Sequence, residues 1–441
     1  MPRPADLTQT ILQALLRQGG ALSSAELQAQ FGVSQPTVSR AMAPLIQSGE
    51  VQKVGAARKQ RYVLPRTVRD VGRSIPVMRI DAHGQPSPFA RLVPLASGAV
   101  WVDEEDGLSK RFDGLPWFLD DMRPQGFMGR TFAHSHPDLQ LGNDPRYWSD
   151  DDVLRALALY GDDLPGNLVV GEPAFARFHT LPERASRAAS SDDYPALADA
   201  AMQGTLGGSS AGGEQPKFCT TVGPTKAGRA VLVKFSPAGD APTDQRTRDL
   251  LVCEHLALKT LADAGVSAAT TQIFTGAGRV FLEAERFDRT AKGRVGMVSL
   301  MVYDAEYVGA MDNWAATANR MQERQLLRPE DARTLRLLEA YGVLIANTDR
   351  HYGNISLLLQ DDDWVLAPAY DMLPMHYAPV GGELVPRNFA ERPLQPTAAT
   401  LPVWAEAQTL ARTFWAAAAA DVRISAGCRQ IAADNLSQIG L

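Results

Sequence analysis

Apolar residues at the head of the chain recur at helical spacing and then switch to the two-residue period of strands. Ile11, Leu12, Leu15 and Leu16, within Leu7 to Arg17, predict an amphipathic first helix that Gly19-Gly20 closes. Ser23-Ser24-Ala25-Glu26 has the spacing of a reciprocal N-terminal cap, so a short second helix should start there and stop at Gly32, which tolerates φ > 0. Ser34 caps a third helix, and Pro36 fits its first turn, where a missing N–H costs nothing. Val38, Ala41, Met42 and Leu45 form the inward stripe of that helix, leaving Gln35, Thr37, Ser39 and Arg40 on or near its outer face. Val51 to Val54 and Gln60 to Leu64 alternate as two strands around Gly55-Ala56-Ala57-Arg58-Lys59. Residues 1–66 thus read as one unit of helices and a two-stranded wing, and Pro65 to Arg73 reads as a linker.

The pattern loosens further on. Ile75 to Val102 holds short strand-like runs with turn signals at Asp81 to Pro88 and Ser97-Gly98, and Trp148 to Tyr160 is helical. His134 and His136 read as surface histidines in a loop, without a further His or Cys at ligand spacing. Arg229 to Phe235 alternates as a strand, and Asp249 to Ala262 is a helix with Leu251, Leu258 and Leu261 inward. Leu344-Ile-Ala runs into a polar loop ending at Asn354, from which an apolar strand leaves. No apolar run approaches the ~20 residues of a membrane span.

Composition sharpens the contrast between head and body. The chain of 441 residues is 45% hydrophobic and 21% charged, the balance of a globular protein with a substantial core. Its net charge of −6 is uneven: residues 1–66 carry eight Lys and Arg against three acids, or +5, which leaves −11 for the remainder. A basic head on an acidic body points to a polyanion partner for the head alone. Gln35, Thr37, Ser39 and Arg40 stand where a recognition helix reads base edges, and Arg58 and Lys59 stand at the wing tip where a phosphate backbone lies. The stretch from Leu22 to Gly55 resembles bacterial winged helix-turn-helix regulators. A winged helix used for protein contacts is the competing reading. Cys219, Cys253 and Cys428 lie far apart and form no CxxC pair, which fits a reducing cytoplasm.

Four features in the body suit phosphoryl transfer from ATP with Mg²⁺. GTLGGSSAGGEQPKF (204–218) is glycine-rich, so its backbone can approach phosphate oxygens closely, although it lacks a GxxxxGK[ST] pattern and a mobile surface loop would look the same. Lys234, near the end of its strand, has a candidate partner in Glu254 on the following helix, as kinases pair a phosphate-binding lysine. Asp349 and Asn354 lie five residues apart in one loop. The first suits a base for a substrate hydroxyl, and the second suits an oxygen ligand for Mg²⁺. Asp371 follows the next hairpin and would complete the metal site with Asn354.

These residues, in this order, resemble the HipA family of bacterial serine/threonine kinases, the toxin halves of type II toxin–antitoxin pairs. SSAGGEQPKF (209–218), VLVKF (231–235), ERFDR (285–289), NTDRHYGN (347–354) and LAPAYDML (366–373) carry the resemblance over roughly residues 75–441. The fused head looks like that of the family's YjjJ-like subgroup. The resemblance implies an α+β chain: a winged helix over 1–66, an N-terminal extension with a kinase small lobe over 70–289, and a mostly helical large lobe over 290–441. It places Gly212, Gly213, Glu214, Gln215, Pro216 and Lys217 in the phosphate loop, and Glu285, Arg286 and Phe287 at the adenine hinge. It makes Asp349 the catalytic base, puts His351, Asn354 and Tyr370 at the nucleotide, and assigns Mg²⁺ to Asn354 and Asp371. Ser210, with Ser209 beside it, falls where such kinases phosphorylate themselves, and a phosphate there would repel ATP.

Gly353 stands where some relatives carry a lysine. The partners implied are a protein substrate (an aminoacyl-tRNA synthetase in relatives), a separate helix-turn-helix antitoxin, DNA through the head, and a second copy of the chain at its own promoter. No membrane is implied. Two other readings stay open: a small-molecule or lipid kinase, since DRHxxN also looks like a phosphoinositide-kinase string, and a transcription regulator whose body only senses nucleotide.

Overall fold

A computed structural model describes residues 4–55, 60–184, 187–188, 190–204, 213–224, 228–392 and 394–439, without the side chains of 4–6 and 182–184. Gly212, Ser209, Ser210, Arg58 and Lys59 lie outside the described residues.

The head contains α1 (Pro4–Arg17), β1 (Ala21–Ser23), α2 (Ser24–Phe31), α3 (Gln35–Gln47), β2 (Gln52–Val54) and β3 (Arg61–Val63), with β3 central in an antiparallel sheet. Local chemistry sets these boundaries. The Glu26 N–H donates to Ser23 Oγ at 3.1 Å and the Ser23 N–H to Glu26 Oε2 at 2.6 Å, while Gly32 closes α2 at φ 63. Val38, Ala41, Met42 and Leu45 are buried against Ile11, Leu15 and Leu27.

Residues 65–73, expected as a linker, are docked at a seam between the head and the next domain. Ala21, Val54 and Val63 share one apolar cluster with Val93, Leu95, Ala99 and Trp101 of the next domain. The Ala96 N–H donates to the Leu64 carbonyl at 2.9 Å, and the Arg66 N–H donates to the Pro94 carbonyl at 2.8 Å. The Arg66 guanidinium reaches the carbonyls of Leu95 (2.5 Å) and Ala99 (2.9 Å) and also binds Asp151. Proline and charge are common to tethers and seams, and the partners lie some thirty residues or more away, beyond any local pattern.

The middle domain is an antiparallel sheet in the order β7-β6-β5-β4-β8, formed by β4 (Ile75–Ile80), β5 (Pro86–Pro94), β6 (Val100–Glu104), β7 (Ser109–Phe112) and β8 (Leu168–Val170). It carries α4 (Gly126–Ser135), α5 (Asp150–Tyr160) and α6 (Glu172–Arg184). His134 and His136 do not share a surface loop. His134 is in α4, and half-buried His136 caps its end with Nδ1 2.9 Å from the Phe132 carbonyl oxygen. Burial pushes the His136 pKa down.

The next sheet runs β12-β13-β11-β10-β9, from β9 (Arg187–Ala188), β10 (Lys217–Val222), β11 (Arg229–Phe235), β12 (Thr271–Gly276) and β13 (Arg279–Glu285), with α7 (Tyr194–Met202) and α8 (Pro242–Asp263). The span 70–289 therefore holds two separate sheets. The last unit contains β14 (Met297–Ser299), α9 (Leu300–Tyr303), α10 (Trp314–Glu323), α11 (Pro329–Leu344), β15 (Ser356–Gln360), β16 (Asp363–Leu366), α12 (Trp404–Ala420) and α13 (Ala426–Gln438). Its core includes Trp314, Tyr341, Phe414 and Trp415, and α8 adds Leu251, Leu258 and Leu261 to the same cluster. One helix thus belongs to both lobes and fixes how they meet.

Candidate functional site

The site forms where the sheet of β9 to β13 faces the loop between α11 and β15. Lys217 on β10 and Lys234 on β11 are directly paired residues, so both side chains leave the sheet on one face. Both are buried. The Lys234 ammonium donates to Glu254 Oε1 on α8 at 2.7 Å and also to Asp371 Oδ1. A buried ammonium needs such partners, and here they join α8, β11 and the segment after β16. Burial, and then the charge of Lys234, lowers the Lys217 pKa to about 7.

Residues 213–216 are stitched to their surroundings on two sides. The Gln215 amide donates to the Phe235 carbonyl at 2.9 Å, and the Phe235 N–H donates to the Pro216 carbonyl at 3.1 Å. Toward the middle domain, the Phe127 N–H donates to the Gly213 carbonyl at 3.0 Å. The approach requires glycine, because a Cβ on Gly126 would lie 2.4 Å from the Gly213 oxygen. The Glu214 carboxylate is held by Arg130 of α4 at 2.6 Å, so it faces the middle domain.

The loop 347–354 is shaped by its own amides. Asn347 Oδ1 accepts from the Asp349 N–H at 2.9 Å, and Asn347 Nδ2 donates to the Asp371 carbonyl at 3.4 Å. Asn354 Nδ2 donates to the Asp349 carbonyl at 2.9 Å, which turns its Oδ1 the other way. His351 Nδ1 accepts from the Gly353 N–H at 3.0 Å, and Nε2 lies 3.7 Å from Asp349 Oδ1. A Cβ on Gly353 would come within 2.9 Å of the His351 ring, so this turn excludes a lysine there unless the ring moves. The Asp349 side chain is 50% exposed, open to an incoming group. Asp371 takes φ 54, a left-handed backbone that an aspartate adopts more readily than most residues.

On the other wall, the Phe287 and Tyr370 rings lie 5.7 Å apart, and the Tyr370 hydroxyl donates to the Gly353 carbonyl at 2.9 Å. Burial raises the Tyr370 pKa, keeping it a neutral donor. At the expected hinge some of the backbone donors are already engaged. The Glu285 N–H is already donated to the Thr270 carbonyl, and the Arg286 N–H to the Ala230 carbonyl, each at 3.0 Å. The Arg286 guanidinium is buried with Asp288 (2.9 Å) and Asp163 (3.6 Å) of the middle domain, so it serves an ion cluster rather than the cleft. Asp288 is a near neighbour in sequence, but Asp163 lies far from Arg286 along the chain and leaves no trace in local sequence. Asn347 is a further residue of the site, and its signal in sequence is slight: an Asn can close an Asx turn onto the N–H two residues on, whatever residue stands there.

Among the described residues no cluster of three His, Cys, Asp or Glu is placed to hold a metal. Asp371 and Asn354 offer one carboxylate and one carboxamide. That hard-oxygen pair fits Mg²⁺, which keeps waters and phosphate oxygens in its shell.

Residues 209–437 match the family described as HipA-like C-terminal domain, so the chain belongs to the HipA-like family. Residues 71–179 match the middle domain of YjjJ-like toxins, and residues 8–55 match the IclR helix-turn-helix domain. A relative named Toxin YjjJ, from Escherichia coli (strain K12), is 37% identical over 441 residues, covering 99% of this chain and 97% of that protein. Among solved structures, a chain of the Shewanella oneidensis MR-1 HipA–HipB–operator DNA complex is 13% identical with a TM-score of 0.49, over 82% of this chain and 95% of that one. The Helicobacter pylori proinflammatory kinase CtkA is 11% identical with a TM-score of 0.36, over 50% of this chain and 89% of that one.

Proposed function

We propose that this protein is a HipA-type toxin whose body is an ATP- and Mg²⁺-dependent serine/threonine protein kinase and whose head binds DNA. One observation carries the reading: the Lys234 ammonium joins Glu254 to Asp371 beside the loop that bears Asp349 and Asn354. A lysine held by a helix glutamate and set against a metal-type aspartate is the arrangement that phosphoryl transfer requires. In this reading Lys234 and Lys217 bind phosphate oxygens, and residues 213–216 carry the loop around them. Asn354 and Asp371 hold Mg²⁺, which supplies charge neutralisation when bound. Phe287 and Tyr370 wall the base. Asp349 accepts the proton of the substrate hydroxyl, with His351 beside it.

Family membership and the relative's name support the toxin reading. The acceptor is a protein hydroxyl, and by family resemblance an aminoacyl-tRNA synthetase is the first to try. Ser210 or Ser209 is the site of self-modification. The head reads DNA through exposed Gln35, Ser39 and Arg40 and half-buried Thr37, with Arg58 and Lys59 on the backbone. A cytoplasmic location, a homodimer at the operator and a separate antitoxin belong to the same proposal.

The test is mass spectrometry of the protein after incubation with Mg²⁺-ATP, beside Asp349→Asn. Phosphate on Ser209 or Ser210 in the wild type alone is the expected result. Label that enters only a lipid or small-molecule fraction would replace the protein-kinase reading with the second kinase reading, and no hydrolysis or transfer at all would leave a nucleotide-sensing regulator.

A further inference from the structure

The loop that carries Asp349 is held from behind by a buried carboxylate with no role in the site described above. Glu339, on α11, is 6% exposed. Its Oε1 accepts from Arg350 Nε at 3.0 Å, and its Oε2 accepts from the backbone N–H of Trp314 at 3.2 Å. Fully buried Trp314, the first residue of α10, donates its indole N–H to the His351 carbonyl at 3.1 Å. Arg350 Nη1 in turn donates to the Asn347 carbonyl. The two residues that follow Asp349 are therefore tied to one carboxylate, Arg350 directly and His351 through Trp314. Gly342 makes room for this, since a Cβ there would lie 2.5 Å from Arg350 Cδ.

A buried ion pair adds little net stability over apolar side chains of similar volume, but its directional bonds fix geometry. Here they fix the peptide on the C-terminal side of Asp349, while Asn347 holds its N–H. We propose that Glu339 is a positioning residue for phosphoryl transfer, acting through Arg350 and Trp314 to hold the Asp349 carboxylate where the acceptor hydroxyl arrives. The inference rests on the kinase reading. A base held in register matters because small misplacements of a reacting group are costly in rate.

The test compares wild type with Glu339→Gln, Arg350→Met and the double variant. Transfer from γ-labelled ATP is normalised to sites titrated with a fluorescent ATP analogue, and hydrogen exchange is followed over residues 347–354. Glu339→Gln should lower kcat by roughly 10- to 100-fold, with KM for ATP held within about twofold. The double variant should be no worse than the poorer single one, since both break the same tie. Exchange over 347–354 should quicken while that of α12 and α13 does not. An unchanged kcat per site, or losses that multiply, overturns the proposal. Should the wild type transfer nothing, the kinase reading fails and exchange alone decides: unaltered protection of 347–354 in Glu339→Gln then overturns the positioning role too. If Glu339→Gln does not fold, Gly342→Ala displaces Arg350 with every charge retained and is expected to give the same split of kcat from KM.

Discussion

In the head, α3 buries Val38, Ala41, Met42 and Leu45 and turns Gln35, Ser39 and Arg40 outward, where Arg40 makes a local bond of 3.3 Å to the Pro36 carbonyl. In the cleft the polar residues are the buried ones: Lys217, Lys234, Glu254 and Asn354 lie inside, and Lys234 is bonded to Glu254 and Asp371 on elements far apart in sequence. Structure and proposed chemistry are thus carried by different residues in the head and by the same residues in the cleft. A substitution on the outer face of α3 should alter binding and nothing else. One in the cleft should alter stability and chemistry together, unless, like Asp349, the residue is exposed.

Asp349→Asn tests that exception and has the largest expected effect. Transfer should fall by about 10²- to 10⁴-fold with nucleotide binding and unfolding midpoint kept, as read by labelling and urea titration. Lys234→Met leaves Glu254 buried without its cation, so we expect a loss of ~3–5 kcal/mol in urea unfolding along with loss of labelling. Unchanged stability would break the comparison. Arg40→Ala should weaken operator binding by about 1–3 kcal/mol in a mobility-shift titration and leave both stability and transfer alone.

Lys217 gives the cleft a pH signature that the head lacks. Its folded pKa is about 7, against ~10.4 when unfolded. Below pH 7 the ammonium is charged in both states, so its burial penalty is felt in full. Between the two values the unfolded chain holds the extra proton, so nucleotide-free protein should gain up to ~1.4 kcal/mol of stability per pH unit as pH rises. Lys217→Met should flatten that slope in unfolding curves taken from pH 7 to 10. The smallest effect is expected at Arg130, whose pairing with Glu214 is exposed: Arg130→Ala should cost at most ~1 kcal/mol of stability.

The head was legible because its signals are local. The Ser23–Glu26 cap, Gly32 and the stripe from Val38 to Leu45 each lie within one or two turns. Lys234, Asp349, Asn354 and Asp371 were legible as motif positions, though only the fold brings Lys234 and Asp371 into contact. What could not be read depends on distant partners: the seam around Arg66, the capture of Arg286 by Asp163, and the contact of α4 with Gly213. A charged or glycine residue looks alike in sequence whether it meets solvent or another domain.

The seam between head and middle domain has a consequence for anything the head grips. Because Ala21, Val54 and Val63 share their core with Val93, Leu95 and Trp101, α3 keeps one bearing and one range relative to the middle domain. A duplex held by α3 would meet a body that does not swing on a leash. Any acceptor must then come to a cleft of settled outlook, and lengthening the stretch after Pro65 would turn a fixed bracket into a tether.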